Sequence, residues 1–309
     1  MKGRVIRSTG SFATVRTEAG ETRECKIRGV FRLKGIRTTN PVAVGDWVEI
    51  TGDVGESAII EIYPRENYII RKSINLSKEA HILAANIDHA FVIVTLHSPR
   101  TSLGFVDRLL VTCEAYHIPV TIVLNKIDLY TSPKDQKLRE GFYEVYHAAG
   151  YAILETSVEK QQGIDQLKAA MQGKVSLFVG HSGAGKSSLI NSLAPGVNLR
   201  IGGLSTAHNK GQHTTTFAEL HELFSNTWII DTPGVKEFGM VDMEKSELGA
   251  YFPEIGLLSN ECKFSNCLHL SEPGCAVREH VGTKLLHSRR YESYVGMLES
   301  DELRKIWRD

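Results

Sequence analysis

Nine residues carry the densest chemistry in this chain: Gly180-His181-Ser182-Gly183-Ala184-Gly185-Lys186-Ser187-Ser188. They follow the apolar run Val175 to Val179 and precede Leu189, Ile190 and Leu193, spaced for one face of a helix. With four residues between Gly180 and Gly185 and Lys186-Ser187 next, backbone N–H groups can converge on phosphate oxygens where no Cβ intervenes. Lys186 adds a point charge, and Ser187 offers a hydroxyl to Mg²⁺. A phosphate-binding loop is predicted, and a plain strand-to-helix turn is the bland alternative.

A second group follows the apolar strand Val120 to Leu124: Asn125-Lys126-Ile127-Asp128. A carboxylate at Asp128 can accept from the N1–H and N2 amino group of guanine, a donor pair that adenine lacks. Asn125 would brace the site and the Lys126 stem would cover the base. Alone the tetrapeptide is an ordinary loop composition; beside a phosphate loop it is specific. Glu155-Thr156-Ser157 would flank the base. Trp228-Ile229-Ile230-Asp231-Thr232-Pro233-Gly234 is a strand ending in Asp-x-x-Gly, where Asp231 would hold Mg²⁺ through water and the Gly234 amide would sense a γ-phosphate. Gly211 to Thr216 would supply the switch threonine, Thr214 or Thr215.

Together these parts predict a GTPase in an altered order, because Asn125 lies 55 residues before Gly180. A circular permutation explains that order. Ligands of open α/β sheets bind where the carboxyl ends of strands meet, so the site survives if the chain is opened elsewhere. Val235 stands where Ras-like proteins place the glutamine that orients water, so unaided hydrolysis should be slow and completion of the site should depend on a partner. His213 is the titratable candidate for catalysis, and a solvent-facing contact is the other reading of a switch-loop histidine.

The third constellation is Cys262-x4-Cys267-x-His269-x5-Cys275. Three thiolates and one imidazole make a closed tetrahedral set, the donor set of structural zinc. Buried cysteines beside surface histidines are the alternative. Beyond it, Tyr291, Tyr294, Val295, Leu298, Leu303, Ile306 and Trp307 recur at helical spacing, a packing stripe.

The elements that must position these groups fall into three regions. Apolar content of 42% and charged content of 23% describe a globular protein, and at 309 residues the chain is long enough for two or three domains. No run approaches the length of a membrane span, Met1-Lys2-Gly3-Arg4 leads into no signal-peptide core, and five cysteines form no even framework, so a cytoplasmic protein is expected. Residues 1 to 66 alternate apolar and polar residues in five short glycine-punctuated stretches, as in an OB-type barrel. Ten basic and three acidic residues lie between Lys2 and Arg37. With Arg28, Arg32 and Lys34 among them, they point to RNA or phosphate contact; a barrel docked on the next domain with solvated charges is the alternative. From about residue 72 to 240, strands and helices alternate as in a doubly wound α/β domain, with helices near residues 105 to 113, 134 to 149 and 163 to 171. Residues 241 to 309 would form the zinc-binding C-terminal domain with helices.

The permuted order, the β module and the Cys3His tail together resemble the circularly permuted ribosome small-subunit-dependent GTPases of the RsgA family, over the whole chain. That resemblance implies an OB-fold barrel, a permuted GTPase domain and a zinc domain that bind the small ribosomal subunit and its rRNA late in assembly and hydrolyse GTP. It places the guanine-base residues on Asn125, Lys126 and Asp128, the phosphate loop on Gly180 to Ser188 and the zinc ligands on Cys262, Cys267, His269 and Cys275. It also implies a water-positioning role for His213. GTP or GDP, Mg²⁺ and one structural zinc are the expected cofactors, and a monomer is expected. An enzyme whose cycle times its release, and a GTP-gated RNA-binding placeholder whose hydrolysis is incidental, are the two functional alternatives.

Overall fold

The computed structural model describes residues 1–27, 41–53, 55–72, 80–195, 218–231 and 243–300. The stretch holding Arg28, Arg32 and Lys34, the switch segment with His213, Thr214 and Thr215, Gly234 and Val235, and the end of the C-terminal stripe at Leu303, Ile306 and Trp307 lie outside the described residues. The backbone divides into two compact units: Met1–Ala90 with Lys168–Phe178 and Ser187–Phe238, and Phe91–Leu167 with Val179–Lys186 and Gly239–Asp309.

The first unit begins with five strands, β1 (Lys2–Ser8), β2 (Phe12–Thr17), β3 (Thr22–Ile27), β4 (Trp47–Thr51) and β5 (Ala58–Ile62). They pair in the order β1-β2-β3-β5-β4, and β4 returns to β1, closing a five-stranded barrel. Period-two alternation aims Val5, Val15, Cys25, Val48, Ile50 and Ile59 inward, where all are buried. Among the described strand residues of the barrel, the exposed cations Lys2, Arg7 and Lys26 face solvent.

A hairpin of β6 (Tyr68–Lys72) and β7 (Ala80–Ala85) follows the barrel. Later in the chain come β11 (Val175–Val179), β12 (Glu219–Phe224) and β13 (Thr227–Asp231). β11 and β13 run parallel, β12 and β13 antiparallel, and Arg7 of β1 pairs with Glu219 of β12. β12 is absent from the alternating pattern read in the sequence because Leu220 and Leu223 are spaced for a helix. A register shift between Glu222 and Phe224 brings both to the buried side, at 3% and 8% exposure. Ser225 and Asn226, at φ of 23° and 57°, make the tight turn into β13.

The second unit carries β8 (His89–Val94), β9 (Val120–Asn125) and β10 (Ala152–Thr156), with β9 and β10 parallel. Helix α1 (Leu103–Ala115) is capped by the Ser102 hydroxyl, which accepts from the Phe105 amide. Helix α2 (Pro133–Ala148) opens on a full capping box between Ser132 and Asp135 with proline at its first position. Helix α3 (Ile164–Met171) leads towards β11, and α4 (Lys186–Leu193) leaves the phosphate loop. In the C-terminal region, α5 (Pro253–Ser259), α6 (Ala276–Glu279) and α7 (Ser288–Glu299) pack Phe252, Ile255, Val277 and Tyr294 against Val111 of α1.

At the centre of that packing is a charge cluster that the sequence pattern does not announce. Arg290, fully buried, donates from Nη1 to Asp107 Oδ1 at 2.6 Å and from Nε to Glu254 Oε1 at 2.6 Å. Its guanidinium also lies 4.5 Å from the centre of the Phe252 ring. One cation thus ties α1, α5 and α7 together.

Candidate functional site

Strand β11 is buried along its whole length and hands the chain directly to the phosphate loop. Gly180 leaves the strand at φ 149°, and a Cβ there would lie 2.4 Å from the Ile93 carbonyl oxygen. Gly185 sits at φ 100°, with the place of a Cβ only 2.3 Å from Asn125 Nδ2. Both positions therefore exclude any side chain, by conformation and by space. Lys186 folds back over the loop, its Nζ donating to the carbonyl oxygens of Gly180 and His181 at 2.5 and 2.9 Å. Ser187 and Ser188 follow in the first turn of α4.

Asn125 joins the loop to the base-binding strands. Its Nδ2 donates to the Ala184 carbonyl at 2.9 Å, and its Oδ1 accepts from Thr156 Oγ1 at 2.9 Å, with Asn125 only 2% exposed. A buried amide with its donor and acceptor both engaged holds two segments in register. Lys126 adopts the left-handed conformation at φ 62° and donates to the Ser98 carbonyl at 2.6 Å. Asp128 Oδ1 accepts from Ser157 Oγ at 2.5 Å, which orients the carboxylate while leaving its second oxygen for another donor. Asn125, Lys126, Asp128, Thr156, Ser157 and the loop from Gly180 to Lys186 are thus brought together in one unit.

Thr101, at the entrance to α1, was not singled out by spacing. Its Oγ1 accepts from the Thr95 amide at 3.0 Å and faces His181 Nε2. His181 Nδ1 faces the Ser182 carbonyl at 2.8 Å, so that nitrogen carries the proton and Nε2 accepts from Thr101. This buttress fixes the second residue of the phosphate loop. No motif signalled it, because the contact spans 80 residues.

Asp231 ends β13, and β13 runs parallel to β11 with Ile230 opposite Leu177.

The Cys3His set converges as well. Ligand atoms of Cys262, Cys267, His269 and Cys275 all lie within 4.8 Å of one another. Cys262 Sγ and Cys275 Sγ are 3.6 and 3.5 Å from His269 Nδ1 and 4.0 Å from each other. A tetrahedral zinc with Zn–S of about 2.3 Å and Zn–N of about 2.1 Å has ligand edges of roughly 3.5 to 3.8 Å, so donor identity and spacing both fit that ion. The surroundings hold the loop in shape. The Glu272 carboxylate accepts from the Leu268, Leu270 and Ser271 amides, and those N–H groups, Leu268 first, draw its pKa down to about 2. The hydroxyls of Tyr291 and Tyr294 on α7 donate to the His269 and Leu268 carbonyls at 2.7 and 2.8 Å. The helical stripe therefore packs, Tyr294 being 1% exposed, and also ties the ligand loop to α7.

Known proteins resemble this chain in sequence and fold. The family model for the RsgA GTPase matches residues 62–241, and that for the RsgA N-terminal domain matches residues 2–60. A Bacteroides thetaiotaomicron protein named small ribosomal subunit biogenesis GTPase RsgA 2 is 51% identical over 98% of this chain and 97% of its own. A Flavobacterium johnsoniae protein named small ribosomal subunit biogenesis GTPase RsgA is 47% identical over 98% of this chain and 94% of its own. The crystal structure of YjeQ from Thermotoga maritima superposes with a TM-score of 0.80 at 35% identity, covering 98% of each chain. YloQ, described as a circularly permuted GTPase, superposes with a TM-score of 0.76 at 28% identity, covering 98% of this chain and 95% of that one. With a family model over more than half of its length and full-length relatives near 50% identity, the chain belongs to the RsgA family and is a circularly permuted GTPase.

Proposed function

We propose that this GTPase acts in late maturation of the small ribosomal subunit, binding the subunit and its rRNA in the GTP state and leaving on hydrolysis. Three domains would divide the work: residues 1–66 as the RNA-contacting barrel, 72–240 as the permuted GTPase domain and 241–309 as the zinc-binding domain. The names of the full-length relatives support the subunit, and the ten cations among residues 2–37 support contact with RNA phosphates.

The observation that carries the nucleotide reading is the double engagement of Asn125, which locks the phosphate loop to the strand bearing Asp128. A guanine nucleotide fits this frame. Asp128, oriented by Ser157, accepts from the N1–H and the N2 amino group of the base, the Lys126 stem covers one face, and Thr156 and Ser157 flank the other side. Backbone amides from Gly180 to Ser188 and the Lys186 ammonium hold the phosphates. Ser187 and Asp231 are the residues to hold Mg²⁺, which offsets charge on the phosphate oxygens. Thr214, Thr215 and Gly234 supply the γ-phosphate contacts, and His213 positions water. Cys262, Cys267, His269 and Cys275 hold one structural zinc, a closed set with no open position for chemistry. The protein works as a cytoplasmic monomer.

Co-sedimentation of the full chain with separated ribosomal subunits tests this reading. Retention on small subunits with a non-hydrolysable GTP analogue, and release with GDP, is the expected result. Equal retention in both nucleotides, or on large subunits instead, would refute it.

A further inference from the structure

A pocket of about 240 Å³ opens in the second unit where the start of α1, one face of α2 and the start of α7 come together. Its apolar lining comes from Leu96, Leu103, Leu138, Phe142 and Val145. Phe142 and Val145 are buried, while Leu138, on the same face of α2, is 41% exposed. Three full cations, Arg100, Lys137 and Arg289, and the His287 imidazole complete the lining, and no carboxylate is part of it. Arg289 pairs with Glu292 at the surface. Arg100 and Lys137 make no hydrogen bond or ion pair with any described residue.

The middle of α2 contributes Gly141 to the same wall. Glycine inside a helix costs stability, and packing does not demand it here, since a Cβ on Gly141 would meet nothing within 4 Å. The missing side chain keeps the pocket open. A bare anion would gain nothing from the apolar wall, and the one phenyl ring in the lining, Phe142, is 4% exposed and offers no open face for a nucleobase. An apolar pocket rimmed by cations, of which Arg100 and Lys137 have no partner among the described residues, matches a bulky apolar group carried between negative charges.

We propose that this pocket docks a segment of a partner protein in which a bulky apolar side chain is flanked by carboxylates. Thr101 lines the pocket and also buttresses His181, so the docked segment sits one residue from the phosphate loop.

Fluorescence anisotropy on the GDP-bound full chain tests the proposal, with a fluorescein-labelled peptide Asp-Asp-Leu-Trp-Asp-Asp as probe. Saturable binding is expected. Gly141→Leu, which fills the pocket with a good helix former, and Lys137→Glu, which reverses a rim charge, should each weaken it by about tenfold or more. Lys134→Glu, an exposed change on α2 outside the lining, should not. An unlabelled Asp-Asp-Ala-Ala-Asp-Asp peptide should compete poorly. Binding that ignores Gly141→Leu and Lys137→Glu alike, or equal competition by the alanine peptide, would overturn the proposal. So would binding of a labelled oligouridylate, rather than the peptide, that is lost with Gly141→Leu. GDP affinity measured in each variant distinguishes a lost pocket from a lost fold.

Discussion

Replacing Arg290 by methionine should be among the most damaging single changes in the second unit. The guanidinium is fully buried and serves two carboxylates that are themselves buried, Asp107 and Glu254, with a third contact from Nη2 to Glu254 Oε2 at 3.2 Å. Burial opposes its charge, but Asp107 and Glu254 outweigh that and hold its pKa above the ordinary value. Burial pushes the Asp107 carboxyl up, with Arg290 opposing. Methionine fills much of the volume but strands both carboxylates, and removing one partner of a buried ion pair costs about 3 to 5 kcal/mol. Loss of the stacking on Phe252 adds about 0.5 to 1 kcal/mol. Against a domain stability of about 5 to 15 kcal/mol, the variant should be marginal at neutral pH. Burial already raises Asp107, and without Arg290 to oppose it that carboxyl stays above its unfolded value, so the deficit should shrink as pH falls and Asp107 takes up a proton. Adding Asp107→Asn and Glu254→Gln should recover a large part of the loss. Urea unfolding of the three proteins is the assay. A deficit below about 1 kcal/mol for Arg290→Met, or no recovery in the triple variant, would refute the assignment of this cluster as the node of the C-terminal packing.

Asp128→Asn should weaken GTP by about 2 kcal/mol or more and improve xanthosine triphosphate, read by competition against a fluorescent nucleotide; equal affinity of the unsubstituted chain for ATP and GTP would count against it. Elemental analysis should find one zinc per chain, and Cys267→Ser should abolish it and leave GTP binding intact. Burial, aided by Lys174, lowers the His89 imidazole to about 4. The unfolded chain then binds a proton near pH 6.5 that the native state refuses, so stability should fall as pH drops from about 6.5 towards 4, and His89→Gln should flatten that part of the urea-midpoint curve.

The chemistry of the site was legible where residue type and spacing jointly carry it. Gly180 and Gly185 mark backbone that must approach other chain closely, and Cys262, Cys267, His269 and Cys275 declare a ligand set before any fold is known. Most strands of the barrel and the α/β region follow from periodicity for the same local reason. β12 was hidden because a bulge lets leucines at helical spacing share one sheet face. Thr101 and Arg290 were hidden because their meaning lies in partners far along the chain: Arg290 reaches Asp107 across 183 residues. In sequence Arg289 and Arg290 look alike, yet one faces solvent and the other is the most buried cation described. The tyrosines of α7 were legible as a packing stripe, while their hydroxyl bonds to the ligand loop depend on tertiary contact alone.

If Val235 leaves the isolated site without a water-orienting glutamine, as the sequence implies, the proposed role has the small ribosomal subunit complete this GTPase. Its most direct test is the GTP hydrolysis rate of the full chain alone, with purified small subunits and with large subunits. Slow hydrolysis alone, raised on the order of tenfold or more by small subunits only, is the predicted result. An unchanged rate with small subunits, or equal stimulation by large ones, would contradict it.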